Sequence, residues 1–205
     1  MKISRKPSKS NRHGFTLVEL LVVIAIIVTL MGILIPVVTS VQRRAVKLKA
    51  KNDLTALVTA VDGYYNDNSR LPANSRTPPT QDTEVESTEP IMSILAGINL
   101  DQLNRKQVVY YTGPAAKGTS RNNAYAGLWE DTNSAELYDH WRKDDNRGYF
   151  LLLDYGYDEK LDDPFNTGGR RIGRRVVGWS SGKDGEWNRS SPKRGGNKDN
   201  VYSWF

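Results

Sequence analysis

Hydrophobic and polar positions divide this chain into three regimes. From Phe15 to Val38 almost every side chain is apolar (FTLVELLVVIAIIVTLMGILIPVV), and Glu19 is the only charge in these 24 residues. From Val41 the pattern becomes amphipathic. Val41, Ala45, Leu48, Leu54, Leu57, Val58, Val61 and Tyr64 recur at helical spacing, with Arg43, Arg44, Lys47, Lys49 and Lys51 between them. Beyond about residue 66 the apolar runs are short and lie between Gly, Asn, Asp and Pro, as in strands joined by loops.

The apolar run is long enough to cross a bilayer. At ~1.5 Å per residue it spans roughly 36 Å, against a hydrocarbon core of about 30 Å. Residues 1–14 carry Lys2, Arg5, Lys6, Lys9 and Arg12 and no acid. By the positive-inside rule this flank stays in the cytoplasm and the rest of the chain lies outside. A secretory signal has a shorter apolar region, about 7–15 residues, with a small-residue cleavage site behind it. A plain uncleaved anchor accounts for the length but not for Glu19.

A carboxylate at the start of a bilayer helix is costly and needs a partner. Cleavage between Gly14 and Phe15 would supply one, because the new α-amine of Phe15 lies four residues from Glu19 on the same helix face. The segment G-FTLVE and the apolar run behind it resemble the type IV pilins and the pseudopilins of type II secretion. The resemblance implies that Gly14 precedes the cut and that Phe15 becomes the N-methylated first residue. It also implies that Glu19 is the assembly glutamate and that Pro36 loosens the helix inside filaments. The implied partners are a prepilin peptidase/N-methyltransferase, like and minor pilin subunits, an inner-membrane assembly platform with its ATPase, and membrane lipid before assembly.

The expected fold is α+β and pilin-like: a long N-terminal helix packed on a small C-terminal antiparallel sheet. Residues 1–14 are the leader, 15–38 the transmembrane and assembly helix, and 39–66 the amphipathic spine. Residues 67–205 form the globular domain outside the cytoplasm, with a variable insertion at 113–148. The spine ends in the turn formers of residues 64–72, YYNDNSRLP. Residues 73–89 read as a loop, 90–104 as a short helix, and 107–112 (QVVYYT) and 149–153 (YFLLL) as strands. Trp129, Tyr138 and Trp141 anchor the insertion on the sheet.

The C-terminal series Asp163-Pro164-Phe165, Gly182-Lys183-Asp184-Gly185 and Asp199-Asn200-Val201-Tyr202-Ser203-Trp204 resembles the end of the major pseudopilin of type II secretion. In that family the loop binds Ca²⁺, a cation that takes six to eight oxygen ligands. The match would assign Asp184, Asp199 or Asn200, and Ser203 as side-chain ligands, with backbone oxygens of Ser181 and Val201. Asn200 stands where the family often has an aspartate. Lys183, Lys193, Arg194 and Lys198 oppose a cation, so weaker binding is expected.

Charge and composition exclude other classes. The net charge is +6, but five of the cations lie in residues 1–14, which leaves the remainder at +1. A near-neutral body has no general pull on phosphate, and no nucleic-acid partner is expected. Arg170, Arg171, Arg174 and Arg175 read as a solvated face. There are no cysteines, and the only histidines are His13 and His140. No phosphate-loop motif occurs. An enzyme is not expected. The function that the resemblance implies is a structural subunit of a type II secretion pseudopilus, with a type IV pilus subunit as the alternative.

Overall fold

The computed structural model describes residues 15–88, 90–141, 148–165, 168–189, 191–192 and 194–205. The leader, including Gly14, lies outside the described residues, as do part of the 113–148 insertion and Lys193. The chain divides into two compact units, Met1–Arg44 and Ala45–Phe205.

Helix α1 runs Leu17–Asn68 and continues through Pro36. Proline lacks the N–H that would bond the carbonyl four residues back, and its ring crowds that carbonyl. That residue is Gly32, which has open space where a side chain would stand. One turn later the Thr39 hydroxyl donates to Pro36 O at 3.0 Å. In the first unit the large apolar side chains from Leu17 to Val38 are all exposed.

In the second unit the buried side of α1 is Ala50, Leu54, Leu57, Val58, Ala60, Val61 and Tyr64. These residues fall on one stripe at helical spacing. The helix stops where Asn68 Nδ2 donates to Tyr64 O at 2.9 Å and Ser69 takes φ +52°. The left-handed residue turns the chain out of the helix.

The stripe faces a four-stranded antiparallel sheet. The strands are β1 (Thr83–Glu86), β4 (Phe150–Leu153), β7 (Val176–Ser180) and β8 (Val201–Tyr202), in the order β1-β4-β7-β8. Leu151 pairs with Gly178, and Trp179 with both Phe150 and Tyr202. Strand alternation sends Val85, Leu151, Leu153, Val176 and Val201 into the core shared with α1. It sends Val177 and Trp179 to the other face, where each meets a separate cluster. Every residue of β7 is therefore buried. Gly178 lets Leu54 of the helix pack closely on the sheet. A Cβ there would lie 2.8 Å from Leu54 Cδ1 and 2.7 Å from Leu151 Cδ2.

The far face is covered from two sides. The hairpin of β5 (Leu161–Asp162) and β6 (Arg171–Ile172) contributes Leu161 and Ile172 against Val177. Beside it Phe165, Trp179, Trp187, Tyr202 and Trp204 form an aromatic cluster, with Phe165 edge-on to Trp187 at 4.9 Å. The Asp163-Pro164-Phe165 turn is closed by the Phe165 amide donating to Asp163 Oδ1 at 3.0 Å. That bond aims the ring at the cluster.

The middle of the chain departs from expectation in three places. Residues 107–112 are not a strand. The Tyr110 and Tyr111 amides both donate to Leu95 O at 2.9 Å, and Gln107 at φ +51° breaks the extended path. The stretch read as a loop contains β1, whose single apolar residue, Val85, is buried. The helix read over 90–104 is one short helix, α2 (Pro90–Leu95), followed by a 3-10 turn at Leu100–Gln102. The insertion folds a hairpin of its own, β2 (Gly127–Glu130) with β3 (Ala135–Tyr138). Tyr138 is fully buried and Trp141 packs against the main core.

Candidate functional sites

At the start of α1, Thr16 and Glu19 cap the helix reciprocally. Glu19 Oε2 accepts from the Thr16 amide at 2.8 Å and from the Thr16 hydroxyl at 2.6 Å, while the Glu19 amide donates to Thr16 Oγ1 at 3.2 Å. This satisfies amides at the helix start that would otherwise lack partners. The carboxylate is thus held at the end of the helix beside Phe15, one residue from the expected cleavage point. The sequence reading paired Glu19 with the Phe15 amine and overlooked Thr16. The signal was present as Thr-x-x-Glu ahead of an apolar run.

The second site is the loop between β7 and β8. Gly182 and Gly185 have φ +68° and +69°, a region that favours glycine. The turn presses Gly182 against the approach to β8, where a Cβ would lie 2.8 Å from Asp199 C and 2.9 Å from Asn200 Oδ1. Asp199 Oδ2 accepts from the Lys183 amide at 2.5 Å and the Asp184 amide at 3.2 Å. Asp184 Oδ1 accepts from the Glu186 amide at 2.9 Å. Asn200 Nδ2 donates to Glu186 O at 3.0 Å and to Asn197 Oδ1 at 3.2 Å.

Among the described residues two oxygens in this loop are buried without a hydrogen-bond partner, Ser181 Oγ and Asn200 Oδ1. A buried polar atom left unpaired costs about 1–3 kcal/mol. With the carboxylates of Asp184 and Asp199, these two oxygens make a donor set of two carboxylates, an amide oxygen and a hydroxyl, which suits a hard cation such as Ca²⁺. Among the described residues no three His, Cys, Asp or Glu side chains form a cluster. The two carboxylates must therefore share the site with neutral oxygens. Ser203 is not part of the group. Its hydroxyl accepts from the Gly178 amide at 2.8 Å and its own amide donates to Gly178 O at 2.9 Å, which extends the β7–β8 pairing. Val201 pairs with Ser180 on the same ladder.

Three groups of contacts that hold this region were not read from the sequence. Lys47 Nζ donates to Lys198 O at 3.2 Å, and Lys51 Nζ to Tyr202 O and, at 3.0 Å, to Phe205 O. Burial, with Arg174 nearby, lowers the Lys51 ammonium from its usual range. Asn197 is fully buried and fastens the loop, donating to Asn188 O at 2.8 Å and Ser191 O at 2.7 Å. Ser180 Oγ donates to Asp139 Oδ2 at 2.5 Å and accepts from the Gly182 amide at 3.1 Å. That chain ties the insertion to the first residue of the turn.

The arginine cluster is largely neutralised. Arg171 reaches Asp158 at 2.9 Å and Asp162 at 3.3 Å, and Arg175 reaches Glu159 at 2.5 Å while lying over the Tyr65 ring. This agrees with its reading as a solvated face.

Comparison with known proteins bears on the first site. Residues 9–35 match the prokaryotic N-terminal methylation motif. The type II secretion system core protein G of Dickeya chrysanthemi is 38% identical over 66 residues, 32% of this chain and 43% of that protein. The core protein G of Escherichia coli is 38% identical over 66 residues, 32% of this chain and 46% of that protein. The type IV major pilin PilA of Myxococcus xanthus is 39% identical over 70 residues, 34% of this chain and 31% of that protein. The chain spans less than half the length of these relatives. No solved structure matches. The relatives are secretion-system core proteins and a pilin, not enzymes. α1 is long and apolar enough over its first part to cross a membrane. Residues 9–35 thus carry the methylation motif, and over about a third of its length the chain is similar both to type II secretion core proteins and to a type IV pilin.

Proposed function

We propose that this protein is a structural subunit of a type II secretion pseudopilus. A prepilin peptidase cuts between Gly14 and Phe15 and methylates the new amine. The apolar half of α1 holds the subunit in the inner membrane, N-terminus inward, with the globular domain in the periplasm. Subunits then leave the bilayer for a filament driven by the assembly platform and its ATPase. One observation supports this most. The exposed apolar half of α1 ends in a carboxylate already fixed beside the cleavage point. A charge there is costly in lipid, and its hydrogen bonds from Thr16 supply no opposite charge until cleavage creates an amine next to it.

Calcium belongs to the same proposal. Asp184, Asp199 and Asn200, with oxygens of Ser181 and Val201, would hold the ion. When bound it would supply a positive charge that binds the β7–β8 loop together and satisfies the two orphaned oxygens. Limited proteolysis with and without chelator tests it. Chelation should speed cleavage of the wild type and leave Asp184→Ala unchanged. Equal resistance in all four samples would remove the ion from the proposal.

The pilus reading is favoured by the likeness to a major pilin. A deletion strain scored for exported protein and for surface pili separates the two. Lost export with intact pili supports the pseudopilus. Lost pili with normal export transfers the subunit to a pilus.

A further inference from the structure

The end of α1 borders a cleft of about 540 Å³, within the usual size of small-ligand sites, about 300–1,000 Å³. Its walls carry four cations: Arg70, Arg76, Arg105 and Lys106. Among the described residues none of the four is in an ion pair. The arginines are instead held by neutral oxygens. Arg76 Nε donates to Asp101 O at 2.9 Å, Arg105 to Gln102 Oε1 at 2.6 Å, and Arg70 to Leu103 O at 3.5 Å. Such bonds position a guanidinium and leave its charge uncompensated. Elsewhere Arg121, Arg171 and Arg175 are each matched by a carboxylate.

The backbone around the cleft is strained. Of seven non-glycine residues with positive φ among the described residues, four line or flank it: Ser69 at +52°, Asp101 at +48°, Gln102 at +60° and Gln107 at +51°. Such conformations cost on the order of 1–3 kcal/mol each and collect at ligand clamps. Two acids, Asp67 and Asp101, also line the walls, and Asp67 Oδ2 already accepts from the Tyr110 hydroxyl at 3.1 Å. Acids beside unpaired arginines repel a compact, highly charged anion such as phosphate. They suit a ligand that offers carboxylates to the arginines and N–H groups to the acids.

We propose that this cleft binds an acidic peptide segment of a partner protein, its carboxylates on Arg76 and Arg105 and its backbone amides toward Asp101. The site does not depend on whether the chain serves export or a pilus. Charge-assisted bidentate bonds carry the affinity, so added salt weakens it.

The test is fluorescence anisotropy on the full chain in detergent, with a short labelled Glu/Asp-rich peptide as probe. Expected is saturable binding that falls about tenfold or more in Arg76→Gln and in Arg105→Gln and is unchanged in Arg175→Gln. A Lys-rich peptide of equal length should not bind, a comparison that needs no variant to fold. Equal binding of both peptides, or equal binding by the wild type and both cleft variants, would overturn the proposal. Displacement of the acidic peptide by millimolar inorganic phosphate would overturn it in favour of a simple anion site.

Discussion

Asp139 of the insertion and Ser180 at the end of β7 are joined by one hydrogen bond, Ser180 Oγ donating to Asp139 Oδ2 at 2.5 Å. Asp139 is 1% exposed. Burial pushes its carboxyl up to about 7, against the bonds from Ser180 and the Trp141 amide, with Glu86 adding repulsion. Below about pH 4 the group is protonated whether the chain is folded or not. Between about 4 and 7 the folded chain keeps a proton that the unfolded chain has lost. Stability should therefore fall as pH rises through this window, by on the order of a few kcal/mol. Asp139→Asn should flatten that part of the profile. Parallel urea-denaturation profiles for wild type and variant from pH 4 to 8 would contradict this.

Gly178 leaves no room for a side chain between Leu54 and Leu151. Gly178→Ala should cost about 1–3 kcal/mol by overpacking, and Leu54→Ala about 2–5 kcal/mol by its cavity. The double variant should lose less than the sum, because the added methyl enters the space Leu54 vacated. Additive losses in a double-mutant cycle would show that the two residues do not share that space.

Asp53 fixes the insertion to α1. His140 Nε2 lies 3.0 Å from its Oδ2, and the Tyr149 hydroxyl donates to the same atom at 3.3 Å. Asp53→Ala should destabilise the domain by about 1–3 kcal/mol, because a buried phenol loses its acceptor. Tyr149→Phe in that background should recover part of the loss. No recovery would mean that the phenol was not the group left unsatisfied.

Glu19→Ala should leave membrane insertion and cleavage intact and lower the yield of filaments, scored by shearing and immunoblotting. Thr16→Val removes only the hydroxyl of the cap, and its filament yield should fall less. An equal loss in both variants would assign the defect to helix capping.

The helix and the last strands were legible because local pattern and burial coincide there. The stripe Leu54, Leu57, Val58, Val61 and Tyr64 is buried as its spacing requires, and the RVVGWS run became β7. The misreadings came where tertiary contacts override pattern. Val108, Val109, Tyr110 and Tyr111 look like a strand, but Leu95 O takes two amides of that segment and no strand among the described residues is paired to it. Thr83–Glu86 looks like a loop, yet Leu151 supplies a partner for Val85. Gly182, Asp184, Asp199 and Asn200 do meet, as the resemblance to the pseudopilin loop implied. Ser203 does not join them, because β8 pairing directs its hydroxyl to Gly178. The Ser180–Asp139 bond spans 41 residues, and no short-range pattern could announce it.

β1 ends the sheet on one side, and two of its four residues are glutamates, Glu84 and Glu86. A bare sheet edge invites another copy to add its own strand. Two such edges brought together would set carboxylates against carboxylates, which disfavours pairing of like chains. Crowded copies of this protein are therefore protected from edge-to-edge aggregation at neutral pH. Acidification, by removing those charges, should make it more prone to precipitate.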